Sequence, residues 1–305
     1  MKKILIVGAG AMGAAFSIPL LDNGHSVALT EPYNFKLFQQ LNSKKKIHPS
    51  LHINLPKKLK INKFSSEILN RKWDLIVIAV SSIGIDLIGK NLSKVKNKSP
   101  ILVLTKGLKL DGRNLISMSS LLKKYNKNLN ISVLKGPCLA KELSRKVKSF
   151  TVVANKNINT AKKIGKLIST NYYQTEFSRD VRGVEFISAI KNIYSMIIGA
   201  GQWHNTSSAL FKKSIDEMKY LVNYFKGKNE TVYGLAGLGD LYVSAMGGRN
   251  SKMGEYLGQG YTFAQAKKKF MKNDTVEGAD LAIEIAPFVF KKINKRKLPL
   301  MVSLL

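Results

Sequence analysis

The sequence predicts an α/β chain: a parallel sheet covered by helices on both faces, followed by an all-helical region. Three observations carry this reading. Short apolar runs alternate with helical stretches through the first half of the chain. A glycine-rich turn joins the first apolar run to the first helix. From about residue 180 the strand pattern stops and helix-like periodicity continues alone.

The elements follow in order. Residues 4–7 (Ile-Leu-Ile-Val) read as the first strand and 27–30 as the second. The insert 35–63 is polar and basic, carries Pro49 and Pro56, and reads as an extended loop. Residues 75–80, 101–104, 131–134 and 150–154 read as further strands of one parallel sheet. The helices between them are expected at 86–95, 114–124 and 160–169. Beyond them, 184–198 is a long amphipathic to apolar stretch, and 207–225, 251–271 and 277–294 also read as helices. No internal repeat is present. The 305 residues fit two domains, divided as 1–179 and 180–305.

The turn after the first strand is Gly8-x-Gly10-x-x-Gly13, and 14–21 can be helical. A strand that delivers three glycines to a helix N-terminus cradles a dinucleotide pyrophosphate. The first glycine permits the tight turn, the second lets phosphates approach, and the third lets helix and strand pack closely. The free N–H groups and dipole of the helix then face the anion. Glu31 lies 18 residues past Gly13 at the end of the second strand, where a carboxylate can accept from a ribose hydroxyl. The N-terminal region is therefore expected to be a Rossmann-type dinucleotide-binding domain. Glu31 has no arginine or lysine beside it until Lys36, so NAD is expected over NADP, with NADP possible.

Composition removes several alternatives. Met1-Lys2-Lys3 before a small apolar run resembles a secretory leader, but the glycines and the turn Asp22-Asn23-Gly24-His25 argue against it. No segment holds 18 uninterrupted apolar residues, so no membrane span is expected. Cys138 is the single cysteine, which precludes an internal disulfide and fits a reducing cytoplasm. The net charge of +31 invites a nucleic-acid reading. However, 43 of the 50 basic residues are lysine and seven are arginine, whereas base readers rely on arginine forks. No specific nucleic-acid partner is expected; the charge instead attracts anionic substrates. His48 and His52 stand four apart with no acid or cysteine to complete a metal set, so they read as loop histidines.

Ligands of open α/β sheets bind outside the carboxyl ends of the strands. Ser81-Ser82, Thr105-Lys106-Gly107 and Gly136-Pro137-Cys138 follow successive strands. Lys106, directly after a buried strand, points toward that crevice. In the helical half, Lys191-Asn192 sits within an apolar run, where a lysine is costly unless paired or catalytic. Gly234-Leu-Ala-Gly-Leu-Gly-Asp240 supplies an acid where such a cation needs a partner. Gly247-Gly248-Arg249-Asn250 before a further helix suits a phosphate.

These pieces, in this order, resemble the NAD(P)-dependent glycerol-3-phosphate dehydrogenase family over nearly the whole chain. The matching segments are G-A-G-A-M-G (8–13), T-K-G-L (105–108), G-P-C-L-A-K-E (136–142), G-V-E-F-I-S-A-I-K-N (183–192), G-L-A-G-L-G-D-L (234–241), G-G-R-N (247–250) and V-E-G (276–278). The resemblance implies reversible hydride transfer between a nicotinamide and dihydroxyacetone phosphate, giving sn-glycerol 3-phosphate for glycerophospholipid synthesis. It implies a cytoplasmic homodimer acting on a small phosphorylated substrate. Lys191 then matches the catalytic lysine, Asp240 the acid beside it, and Lys106 a lysine at substrate and nicotinamide. Gly8, Gly10, Ala11, Met12, Gly13, Glu31, Ser82, Lys106, Ala140, Arg249 and Glu277 fall to the cofactor. Lys106, Gly136, Lys191, Asn192, Asp240, Ser244, Arg249 and Asn250 fall to the substrate, with Arg249 and Asn250 on its phosphate. No metal is expected.

The chain departs from the family where Ser81 replaces a frequent proline and Cys138 a serine or threonine. It carries the shorter G-G-R-N form rather than the longer S-R-N form. A reductase of another phosphorylated ketose, or of a keto acid such as ketopantoate, is the alternative enzyme. A basic binding protein on a dehydrogenase-like scaffold is the alternative without catalysis, and intact Lys106, Lys191 and Asp240 argue against it.

Overall fold

Buried β-branched runs dominate the first half and pair into one sheet, seen in a computed structural model that describes residues 1–272 and 274–305. The chain forms two compact units. One comprises Met1–Lys106 and Met118–Val181; the other comprises Gly107–Ser117 and Arg182–Leu305.

In chain order the strands are β1 (Lys3–Val7), β2 (Ser26–Glu31), β3 (Ile47–His48), β4 (Ile53–Asn54), β5 (Lys60–Lys63), β6 (Leu75–Ile78), β7 (Ile101–Val103), β8 (Leu108–Asp111), β9 (Asn114–Ser117), β10 (Ile131–Lys135), β11 (Ser149–Ala154) and β12 (Tyr173–Ser178). The main sheet of the first unit runs β12-β11-β10-β7-β6-β1-β2-β5. The helices of this unit are α1 (Ala11–Asp22), α2 (Phe35–Leu41), α3 (Ser66–Asn70), α4 (Ile85–Ser93), α5 (Met118–Tyr125), α6 (Ala140–Ser144) and α7 (Ile158–Ile168). β1 pairs with β2 on one side and β6 on the other, so strand order reverses at β1 and opens a crevice at its carboxyl end. Residues of β1, α1 and β2, including Ile4, Ile6, Phe16, Leu20 and Leu29, share one buried cluster with Tyr173.

The sheet is not wholly parallel. β10 and β11 are antiparallel, with Val133 opposite Ala154, while β11 and β12 are parallel to each other. The link from Lys135 to Ser149 holds only the five-residue α6, which rises about 7.5 Å. The chain instead re-enters the sheet at the end where it left, which makes β11 antiparallel to β10. β12 was not expected, because Tyr-Gln-Thr-Glu-Phe-Ser is mostly polar and largely exposed; it pairs with β11 at the edge of the sheet.

The insert 35–63 is not an open loop. It contains α2, the β3–β4 ribbon and the edge strand β5 on β2. The expected helix 114–124 is likewise divided: its first four residues are β9 and the rest lies in α5. β8 and β9 form a hairpin in which Asp111 pairs with Asn114, and Gly112 takes φ +58° in the turn. Glycine at the first position of the two-residue tip Gly112-Arg113 supplies that conformation without a steric cost.

From Val181 the described residues are helical: α8 (Val181–Ala200), α9 (His204–Tyr224), α10 (Asn229–Tyr233), α11 (Asp240–Ala245), α12 (Arg249–Gly258), α13 (Phe263–Lys269), α14 (Glu277–Lys292) and α15 (Pro299–Leu304), with short 3₁₀ and π turns between them. The expected helix 251–271 is broken, because Gly260 turns at φ +91° and Thr262 with Gln265 forms a capping box that starts α13. No helix among the described residues is long and apolar enough to cross a membrane.

Candidate active site

In the first unit the glycines act as their spacing suggests. Gly8 takes φ +108°, and a Cβ there would lie 2.7 Å from the backbone of Ala79. A Cβ on Gly13 would lie 1.9 Å from the Gly8 carbonyl oxygen, so strand and helix touch only because the side chain is absent. A Cβ on Gly10 would meet nothing within 4 Å. That position faces open space at the end of β1, where a bulky anion needs room. The first helical bond of α1 runs from Ala14 N–H to Gly10 O at 3.0 Å. The N–H groups of Ala11, Met12 and Gly13 lie ahead of it and aim along the helix axis toward the same space. The loop therefore fits a dinucleotide pyrophosphate.

Glu31 ends β2 beside this loop. Its Oε2 accepts from Ala9 N–H at 2.8 Å, and its Oε1 accepts from Tyr33 and Asn34 N–H at 2.9 and 3.1 Å. The carboxylate thus braces the glycine turn and the turn that follows β2. Tyr33 lays its ring over Gly84 and donates its hydroxyl to the Gly84 carbonyl. Burial, then the charges of Glu31 and Asp86, push its phenol up to about 12.

His48 corrects the sequence reading. It is not a loop residue but lies buried in β3. Leu51 N–H donates to Nδ1 at 3.3 Å, so Nε2 carries the proton and donates to Ala9 O at 3.0 Å. The insert therefore holds the glycine loop from behind. Burial keeps the imidazole below its usual value and neutral; His52 adds to this and the Ala9 carbonyl partly offsets it.

The remaining first-unit candidates sit at strand ends. Ser82 is exposed and opens the 3₁₀ turn Ser82–Gly84 after β6. Gly136 follows β10 with φ +118°, and Ala140 begins α6. Cys138 lies between them, half-buried against the main core. Lys106 follows β7 and is half-buried, and the preceding Thr105 donates its hydroxyl to Val80 O at 2.8 Å. Lys135, which the sequence reading passed over, ends β10 with its ammonium against the carbonyls of Val103, Leu104 and Thr105.

In the second unit, α8 buries Lys191 and Asn192 along its length. Lys191 is 3 % exposed, and so is Asp240. Lys191 Nζ donates to Asp240 Oδ1 at 2.8 Å and to Asp240 O at 3.2 Å, and also to Ser244 Oγ. A buried ammonium is tolerated because carboxylate, carbonyl and hydroxyl together replace its water. Ser195 Oγ donates to Ser244 O at 2.8 Å and ties α11 to α8. The glycine-rich run before Asp240 forms a π turn, Leu235–Gly239. A Cβ on Gly237 would lie 2.2 Å from Val232 O, so only glycine permits the fold that aims Asp240 at Lys191.

A second group gathers around Asn192, the neighbour of Lys191 on α8. Asn192 Nδ2 donates to Glu277 Oε2 at 3.2 Å, and Gly278 N–H donates to Asn250 Oδ1 at 2.9 Å. The Arg249 guanidinium stands 4.0 Å from Glu277 Oε1 with both side chains about half exposed. Arg249 and Asn250 open α12 behind Gly248. The unit thus joins a buried lysine paired with a carboxylate to an exposed guanidinium at a helix start. One set suits an oxygen that gains charge, the other an anion.

The family model described as NAD-dependent glycerol-3-phosphate dehydrogenase N-terminus matches residues 3–161, and its C-terminus counterpart matches 180–304. The NADP(+)-dependent glycerol-3-phosphate dehydrogenase of Archaeoglobus fulgidus is 28 % identical over 309 residues, covering 95 % of this chain and 90 % of that protein. The glycerol-3-phosphate dehydrogenase [NAD(P)+] of Fusobacterium nucleatum is 31 % identical over 288 residues, covering 91 % and 84 %. Among solved structures, the glycerol-3-phosphate dehydrogenase of Coxiella burnetii superposes with a TM-score of 0.86 at 25 % identity, covering 99 % of this chain and 93 % of that one.

Proposed function

Because the chain belongs to the NAD-dependent glycerol-3-phosphate dehydrogenase family, we propose that it reduces dihydroxyacetone phosphate to sn-glycerol 3-phosphate, reversibly, with NADH or NADPH. The observation that carries this reading is the buried Lys191–Asp240 pair at 2.8 Å in the unit that also presents Arg249 and Asn250.

The bound nicotinamide supplies the hydride. Every other part falls to residues of the chain. As the ketone carbon becomes tetrahedral, its oxygen gains negative charge. The Lys191 ammonium stabilises that charge and gives the oxygen its proton. Asp240 and Ser244 hold the ammonium, so its direction is set before the substrate arrives. Arg249 and Asn250 take the phosphate; the guanidinium fork suits it, and Glu277 at 4.0 Å keeps that fork near the helix start. Asn192 and Gly136 are assigned to the substrate, and Lys106 to substrate and nicotinamide. Gly8, Gly10, Ala11, Met12, Gly13, Glu31, Ser82, Ala140 and Glu277 are assigned to the cofactor. Residues 1–179 then act as the dinucleotide-binding domain and 180–305 as the substrate-binding and catalytic domain. The family resemblance also supports a homodimer feeding glycerophospholipid synthesis, and the single cysteine fits a cytoplasmic setting.

The test is NADH oxidation with a panel of ketones. Dihydroxyacetone phosphate is expected to be turned over far faster than dihydroxyacetone, other phosphorylated ketoses or ketopantoate. Turnover of ketopantoate without turnover of dihydroxyacetone phosphate overturns the reading.

A further inference from the structure

We infer that Lys135 is a positioning residue for Lys106: a buried ammonium that fixes the strand end from which Lys106 meets the substrate. This rests on the assignment of Lys106 made above.

Lys135 is the last residue of β10 and is 3 % exposed. Its Nζ donates to Thr105 O at 2.6 Å, to Leu104 O at 3.1 Å and, at 3.4 Å, reaches Val103 O. These are three consecutive carbonyls, ending on the residue before Lys106. The β10–β7 ladder stops at Val133 opposite Val103, so the carbonyls beyond it have left the register. A backbone segment leaving a sheet is ordinarily free to tilt. Here it is tied on both sides: by Lys135 from β10, and by Thr105 Oγ1 on Val80 O from the β6 side.

The choice of side chain matters. Burying an ammonium is costly, and a hydroxyl or amide can satisfy a carbonyl without that cost. An ammonium has three donors in a compact head and no acceptor, so it can gather several carbonyls around one point. It also places a fixed positive charge beneath the carboxyl ends of β7 and β10, where the anionic substrate is assigned. A residue needed only to fill the sheet would be apolar, like Val133 and Leu134 before it.

The test is a double-mutant cycle in the full-length protein. Lys135→Met is expected to lower kcat/KM for dihydroxyacetone phosphate by about 10²-fold, the loss caused by a displacement of about 1 Å at a reacting site. NADH affinity, read by fluorescence titration, should stay within about twofold. In a Lys106→Ala background the same Lys135→Met change should cost no more than about twofold further, because it acts through Lys106. Equal losses in both backgrounds would make Lys135 a general support of the sheet and overturn the inference. So would an unchanged kcat/KM in folded Lys135→Met. If that variant does not fold, Lys135→Gln, whose shorter amide reaches fewer of the carbonyls, goes through the same cycle: a loss that vanishes in the Lys106→Ala background supports the inference, and an equal loss in both backgrounds overturns it. A Lys106→Ala chain with full activity removes Lys106 from the reaction and the inference with it, which separates that failure from the others.

Discussion

Lys191 is the residue on which the proposed chemistry turns. Its ammonium is held by Asp240 and Ser244 within one unit, so removing it deletes the proposed proton donor and also leaves the Asp240 carboxylate buried without it. Lys191→Ala should lower turnover by about 10²-fold or more while NADH binding, followed by fluorescence, persists. Its denaturant midpoint should also fall, since breaking a buried ion pair costs about 3–5 kcal/mol. Glu31 sets a different property. Ala9 N–H occupies one lone pair of Oε2, which leaves the other for a ribose hydroxyl. The same carboxylate repels a 2′-phosphate. We expect kcat/KM to favour NADH over NADPH at physiological salt, and Glu31→Gln to narrow the ratio. A wild-type preference for NADPH would mean that the carboxylate serves only to brace the two turns.

At the scale of elements, the β1–α1 turn separates folding from binding. Gly10→Ala adds a methyl into open space, so it should melt like the wild type and lose affinity for NADH. Gly13→Ala drives a methyl into the Gly8 carbonyl, so it should unfold at lower temperature. Calorimetry and NADH titration of both variants check the contrast. The β3–β4 ribbon contributes through His48. Its folded value lies below the ordinary 6.5 because of burial, so the unfolded chain binds the proton first as pH falls. The stability is fully present above about 6.5 and is lost as pH drops through the folded value. Denaturant midpoints between about pH 7.5 and 5.5 should show that loss, and His48→Gln should flatten it.

The turn was legible because three glycines at fixed spacing, with a strand before and a helix after, permit few other structures. The insert was not, because its strands are two to four residues long and His48 gains meaning only against Ala9 O. Lys135 was hidden among many lysines; a lysine closing a buried strand was the available signal. The β8–β9 hairpin was announced by Gly112 between two apolar runs, and that signal was passed over in favour of helical periodicity.

For the molecule as a whole, the dominant quantity is the net charge of +31. Most of the lysines are exposed and have no acid beside them in the sequence, so the surface attracts anions at a distance. Salt screens that field over about 8 Å at physiological strength. Raising ionic strength from low to physiological values should lower kcat/KM for dihydroxyacetone phosphate by roughly tenfold if capture limits the rate. The value of kcat should stay nearly constant, because the Lys191–Asp240 contact is buried and weakly screened. A fall in kcat of the same size would place the salt effect inside the site. Charge and composition were read directly from the sequence. The path of the chain was not, because the segment Gly107–Ser117 leaves one unit, joins the other, and returns.

That excursion orders events on the ribosome. The hairpin is made early, yet Leu110 N–H donates to Glu284 Oε1 at 2.8 Å across a separation of 174 residues. At about 5–20 residues per second, the nascent chain must hold the hairpin for roughly 10–35 s before α14 emerges. The first unit can close around a projecting ribbon in that time, but the second cannot begin as a contiguous piece. A cut after Val181 would therefore yield a C-terminal fragment lacking two of its own strands. Its α14 would emerge with Glu284 facing a vacancy that only the distant half of the gene can fill.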